Sequence, residues 1–155
     1  LSMGASGLSF GFMTPDLDID VEVCCYLADR LPEVRWTFHR GVDSALSTDR
    51  AWRQLLGLPG LDAVLSAGSV RGLGAGCDEL VDRAVADPAV AELLMAGGGL
   101  RAEHVPWLVR AGVRQFHVGT TARPGGSWKS YVDPGHVRSW RMLLDDAVAH
   151  VSPAR

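Results

Sequence analysis

Long apolar runs are missing from this 155-residue sequence, and no stretch approaches the roughly 18 residues that a membrane-spanning helix requires. The opening Leu1-Ser2-Met3-Gly4 lacks the charged-then-apolar layout of a signal peptide. A soluble protein, not exported by this segment, is the expectation. Cysteine is scarce: Cys24, Cys25 and Cys77 are odd in number, and adjacent Cys24 and Cys25 do not readily bridge each other in regular structure. That usage predicts a reducing, cytoplasmic setting. Nor is either charge in large excess, since 15 basic and 18 acidic residues are interspersed for a net of -3. Without a basic stripe or tail, nucleic acid and membrane surfaces are not expected as partners. There is also no Gly-x-Ser-x-Gly elbow for a nucleophilic serine, and no Cys-x-x-Cys pair for a soft metal ion.

What is present is enough apolar content, 47% of residues, to fill the core of a single domain over 1–155. Short apolar runs bounded by turn residues at 8–12, 34–39, 63–66, 93–96 and 115–118 predict five strands. Segments with helical spacing lie between them. One over 18–31 is halted by Pro32, a second runs from a Ser47 cap to Gly57, and a third covers 77–86, ahead of Asp87-Pro88. A fourth over 103–111 stops at Gly112, and a last begins at Asp133-Pro134, an N-cap with proline at the first helical position. In that helix Val137, Trp140, Leu144, Ala147 and Val148 mark one apolar face. The first four residues read as the last turn of a helix with a glycine cap, as though the chain began in mid-fold. Only 120–131 is a long irregular stretch. Alternation of strand and helix predicts an α/β fold with a parallel sheet, either open and doubly wound or an arc of a (β/α) barrel.

In such folds ligands bind at the carboxyl ends of the strands. Thr37-Phe38-His39-Arg40-Gly41-Val42-Asp43 closes the second strand. Alternation puts Thr37 and His39 on one face and Trp36 and Phe38 on the other, sending the aromatics under helices and His39 toward the barrel axis. There His39, Arg40 and Asp43 offer a base, an anion clamp and an orienting carboxylate. The plainer reading is an Arg40–Asp43 ion pair that ties down a loop. Gln115 and His117 share a face at the last strand, so His117 looks toward the same mouth as His39. The two histidines are candidate metal ligands, an acid–base pair, or unrelated polar groups.

Met95-Ala96-Gly97-Gly98-Gly99 leads from the fourth strand to a helix start. Gly97, Gly98 and Gly99 let backbone N–H groups approach an anion such as phosphate, with Gly119-Thr120 as the other lip; a tight turn without ligand is the alternative. Ser66 is read as a hydrogen-bond donor. Gly72, Gly74 and Gly76 form a pliant loop into a helix headed by Cys77, a position that would lower its thiol pKa. Cys24 and Cys25, about 100° apart on a helix, are read as packing residues.

In order and spacing, several segments resemble the CutC copper-homeostasis family through essentially the whole chain. They are Phe10-Gly11-Phe12-Met13-Thr14-Pro15-Asp16 with Ile19-Asp20, Thr37-Phe38-His39-Arg40 with Asp43, Val64-Leu65-Ser66-Ala67-Gly68, Met95-Ala96-Gly97-Gly98-Gly99, and Phe116-His117. The resemblance implies a partial TIM-type (β/α) barrel, its carboxyl-terminal portion of about five βα units, with the family's first three strands absent. It also implies a cytoplasmic role in copper tolerance or trafficking, copper as the ion handled, and frequent dimers. The family's matching polar residues are His39, Arg40, Asp43, Ser66 and His117. A glutamate, cysteines and an arginine from the family's first strands have no counterpart, and Ala67, His104, Gln115 and Gly119 stand where Ser, Asn, Glu and Ser are usual.

Three functions are therefore expected in competition. The first is copper binding or handling, with His39 and His117 as the metal candidates. The second is an enzyme on a small phosphorylated or carboxylated molecule, with Gly97, Gly98, Gly99 and Gly119 as cradle, Arg40 as clamp, and His39 with His117 as acid and base. The third is a half-barrel that depends on a partner. Its two free sheet edges would require a homo-oligomer or the missing amino-terminal half.

Overall fold

The five apolar runs become five strands in the computed structural model, which describes residues 4–31 and 33–151. They are β1 (Leu8–Phe10), β2 (Trp36–Phe38), β3 (Leu61–Ser66), β4 (Leu94–Ala96) and β5 (Gln115–Phe116). All pairings are parallel and follow sequence order, so every crossover joins neighbours. The sheet is not closed; β1 and β5 are its edges. This is the predicted α/β arrangement.

Register assigns the two faces. Phe10 pairs with Phe38, Phe38 with Val64, Val64 with Leu94, and Ala96 with Phe116. These residues share the helix-covered face, where Trp36, Phe38, Val64, Leu94 and Ala96 are buried and Phe10 stacks on Trp36 at 4.1 Å. The opposite face carries Ser9, Thr37, Leu65, Met95 and Gln115, and all five retain solvent exposure. That face would be the lumen of a closed barrel.

Among the described residues, six α-helices flank the strands: α1 (Val21–Ala28), α2 (Thr48–Leu56), α3 (Leu73–Ala86), α4 (Pro88–Leu93), α5 (Val105–Arg110) and α6 (Pro134–Ala149). Several bounds differ from expectation. The first helix starts later than residue 18, because the Asp20 side chain accepts from Val23 N and sets the start. It ends at Ala28, short of the expected residue 31; Pro32 itself, like residues 1–3 of the helix turn expected over 1–4, lies outside the described residues. α3 begins a turn earlier than Cys77, since Gly72 sits at φ 95° and Leu73 N–H donates to Gly98 O at 2.9 Å. Cys77 is therefore inside the helix. Burial, with Asp78 adding to it, pushes its thiol pKa up, opposite to the expected lowering.

Helix α4 was not expected at all. Asp87 accepts from Ala89 N at 2.9 Å and Pro88 occupies the first turn, so the dipeptide opens a helix as well as closing one. The irregular 120–131 stretch contains two 3-10 turns, Thr120–Ala122 and Pro124–Gly126. α6 starts where Asp133-Pro134 places it, and its Trp140, Leu143, Leu144 and Ala147 pack on the core.

Candidate functional site

Strand β2 runs straight into a 3-10 turn, Arg40–Ser44, and that turn fixes three of the sequence-predicted residues. Asp43 sits almost wholly buried, its side chain 2% exposed. It accepts from Ser66 Oγ at 2.6 Å and from Ala67 N at 3.1 Å, which ties the end of β3 to the end of β2. Arg40 Nε donates to Asp43 Oδ2 at 2.8 Å, and Arg40 Nη2 donates to Ser69 O at 3.0 Å. Ser66 is thus the predicted hydrogen-bond donor, but it stands on the helix-covered face, under the Asp43 carboxylate. The plainer reading of Arg40 and Asp43 is observed: their ion pair holds a loop, and with the Ser69 carbonyl it fixes the guanidinium.

The guanidinium lies flat on the glycine loop. A Cβ on Gly98 would come within 2.8 Å of Arg40 Cζ, and Gly98 has φ 80°, so only glycine suits this position. Gly97 is equally constrained, since its Cβ would meet Leu65 Cδ1 at 2.7 Å and His117 Cβ at 2.9 Å. Across the loop a cleft of about 250 Å³ is lined by Arg40, Gly98, Gly99, His117, Gly119 and the two threonines Thr120 and Thr121. Arg40 Nη1 makes no hydrogen bond to any described residue, and no described residue accepts from the N–H groups of Gly98 or Gly99. The cleft therefore presents donors and, among described lining residues, no carboxylate. Chemically it suits an anion.

The predicted residues thus divide. Arg40, Gly98, Gly99, His117 and Gly119 come together at the cleft, Gly97 supports it from below, and Asp43 with Ser66 anchors Arg40. His39 does not line it. Its exposed ring turns back so that Nδ1 accepts from Gly41 N at 3.0 Å, capping the 3-10 turn. Thr120 stands beside Gly119, where the other lip was expected, whereas Thr121 and Trp128, which also border the cleft, were not anticipated. They lie in the aperiodic 120–131 stretch, where sequence pattern carries no signal of direction.

Among the described residues no three His, Cys, Asp or Glu side chains are grouped to hold a metal ion. Cys24 is fully buried, and burial above all pushes its thiol pKa up; Cys77 shifts the same way. Such thiols resist becoming the thiolates that Cu(I) favours. No helix among the described residues is long and apolar enough to cross a membrane.

The CutC family model matches residues 1–122 of this chain. A family protein CutC of Klebsiella pneumoniae (strain 342) is 28% identical over 74% of this chain and 45% of its own length. Its counterpart in Pasteurella multocida (strain Pm70) is 30% identical over 75% and 47%. The copper homeostasis protein cutC homolog of Homo sapiens is 30% identical over 74% and 41%. The chain spans about half the length of the curated relatives it matches, or somewhat less. A CutC structure from Streptococcus agalactiae, a TIM-type barrel, matches with a TM-score of 0.62 at 23% identity, covering 75% of this chain and 57% of that one. That likeness concerns the fold.

Proposed function

The chain belongs to the CutC family, and from that premise we propose that it serves copper homeostasis in the cytoplasm by binding a small phosphorylated or carboxylated molecule at the Arg40 cleft. Copper, on this reading, is not held by the chain's own side chains. The observation that carries the proposal is the Arg40 guanidinium, fixed by Asp43 and Ser69 with Nη1 left over at a cleft whose other walls offer N–H and hydroxyl donors. A paired arginine is preorganised, so little side-chain entropy is lost when an anion arrives. Asp43 offsets its charge but takes only the Nε donor. His117 adds a ring nitrogen for a hydrogen bond to a ligand oxygen. The Cys24 and Cys77 thiols fit copper poorly, for the reasons of burial just given. Three free cysteines agree with a reducing compartment.

Inorganic phosphate, titrated while the amide signals of Gly98, Gly99 and Gly119 are followed by NMR, is expected to saturate. Arg40→Ala should weaken it at least about tenfold, the loss of one charge-assisted hydrogen bond. Cu(I), titrated under reducing conditions against a competing chelator, is expected to bind no more tightly than to a variant with Cys24, Cys25 and Cys77 replaced by Ser. Tighter copper binding by the unaltered chain, or phosphate binding indifferent to Arg40, would sink the reading.

A further inference from the structure

Directly beside the anion cleft lies a second cavity of about 470 Å³, and the two share His117, Gly119 and Trp128 in their walls. The second is of a different character. Its floor and sides are Val118, Val132, Val137, Leu144 and the rings of Trp128 and Trp140. Trp140 is pinned by donating from Nε1 to Thr121 O at 3.4 Å. Trp128 stands 68% exposed at the boundary, with its ring edge packed over Gly119, where a Cβ would meet Trp128 Cη2 at 3.2 Å. So much indole surface left in water at a cavity mouth is costly unless something covers it.

Polar groups in this cavity are few and cationic. Arg123 lies 5.2 Å from the Trp128 ring, and its buried Nε donates to no described residue. Arg141 also reaches the wall. Apart from four residues between 117 and 122, the walls come from beyond the stretch that matches the family model. The cavity is thus a property of this chain's last loop and helix, added to the anion cleft.

We propose that the two cavities form one binding site for a single amphipathic anion: a phosphate or carboxylate head at Arg40 and the Gly98 loop, joined to an aromatic-sized apolar body held between Trp128 and Trp140. The inference rests on the anion reading of the cleft and adds the ligand's class to it. The apolar volume is in the range that takes a ring system and is too large for a bare oxyanion. Among the described lining residues the charged groups are Arg123 and Arg141, the latter paired with Asp145, and no carboxylate lines the cavity, which disfavours a cationic body.

The test compares 1-naphthyl phosphate with inorganic phosphate and naphthalene-free buffer by calorimetry or NMR titration. Naphthyl phosphate should bind at least about tenfold tighter than phosphate, as expected for burying an aromatic ring. Trp128→Ala, on an exposed loop, should bring the two ligands to nearly equal affinity, and Trp128→Phe should restore most of the difference. Arg40→Ala should weaken both ligands. If naphthyl phosphate gains nothing over phosphate, or keeps its gain in Trp128→Ala, the amphipathic site is overturned while the anion reading stands. If neither ligand saturates, both fall.

Discussion

At the scale of single residues, Asp43 carries more than its sequence context discloses. Removing its carboxylate leaves Ser66 Oγ and Ala67 N–H buried without an acceptor and frees Arg40. Asp43→Ala should cost about 2–4 kcal/mol in urea unfolding, and Asp43→Asn, which keeps one acceptor oxygen, clearly less. His104 offers a pH prediction. Burial first, then the Arg101 charge, hold its pKa below the ordinary imidazole value, and its Nδ1 accepts from Arg101 N at 3.1 Å. The unfolded chain therefore takes up the proton more readily. Stability from this residue is full above the unfolded value of about 6.5 and declines as pH falls through it, levelling off below the folded value. His104→Asn, which retains an acceptor for the Arg101 N–H, should flatten that decline in urea midpoints compared at about pH 5 and about pH 8. The Arg40–Asp43 pairing was legible in the sequence because the partners lie three positions apart. The turning of His39 onto Gly41 was not, because strand alternation ends where the 3-10 turn begins.

Elements were legible where their caps stand alone. Ser47 and Gly57 bound α2, and Asp133 heads α6, accepting from Gly135 N and His136 N. The same Asp-Pro signal at 87–88 was read as a stop, yet there it also starts α4. Helix α3 was obscured for a physical reason: Gly74 and Gly76 look like loop glycines. Gly76 is demanded by packing, since a Cβ there would meet Ala67 O at 2.2 Å. Backbone approach between elements leaves no periodicity to read. The Asp133 cap yields a prediction of its own. Hydrogen bonding from His136 N, then from Gly135 N, lowers its pKa below the usual carboxylate value. Its support of α6 is present above the unfolded carboxylate value and is lost as pH falls through the folded one. The amide signals of Gly135 and His136 should report that loss on acidification, and Asp133→Ala should fray the first turn at every pH. Because Val137 belongs to the same first turns, the apolar cavity should loosen with it.

For the whole molecule, strand order followed from simple alternation of apolar runs with helical segments, whereas closure could not, since an open sheet and an arc of a barrel alternate alike. The structure leaves β1 and β5 as edges and the Thr37, Leu65 and Met95 face partly exposed. Parallel sheets are ordinarily covered on both faces. We expect the chain alone to self-associate, with sedimentation giving a mass above the 16.6 kDa of one copy and a melting temperature that rises with concentration. A monomer whose unfolding is cooperative and independent of concentration would refute this. The sequential strand order also matters during translation. From β2 onward, each strand's preceding partner is already made when it leaves the ribosome, so the sheet can be laid down in the order of synthesis. The cleft cannot, for Arg40 precedes His117 and Trp128 by most of the chain. A nascent chain thus carries an open strand edge before it carries a ligand site, so no ligand can protect that edge during the interval.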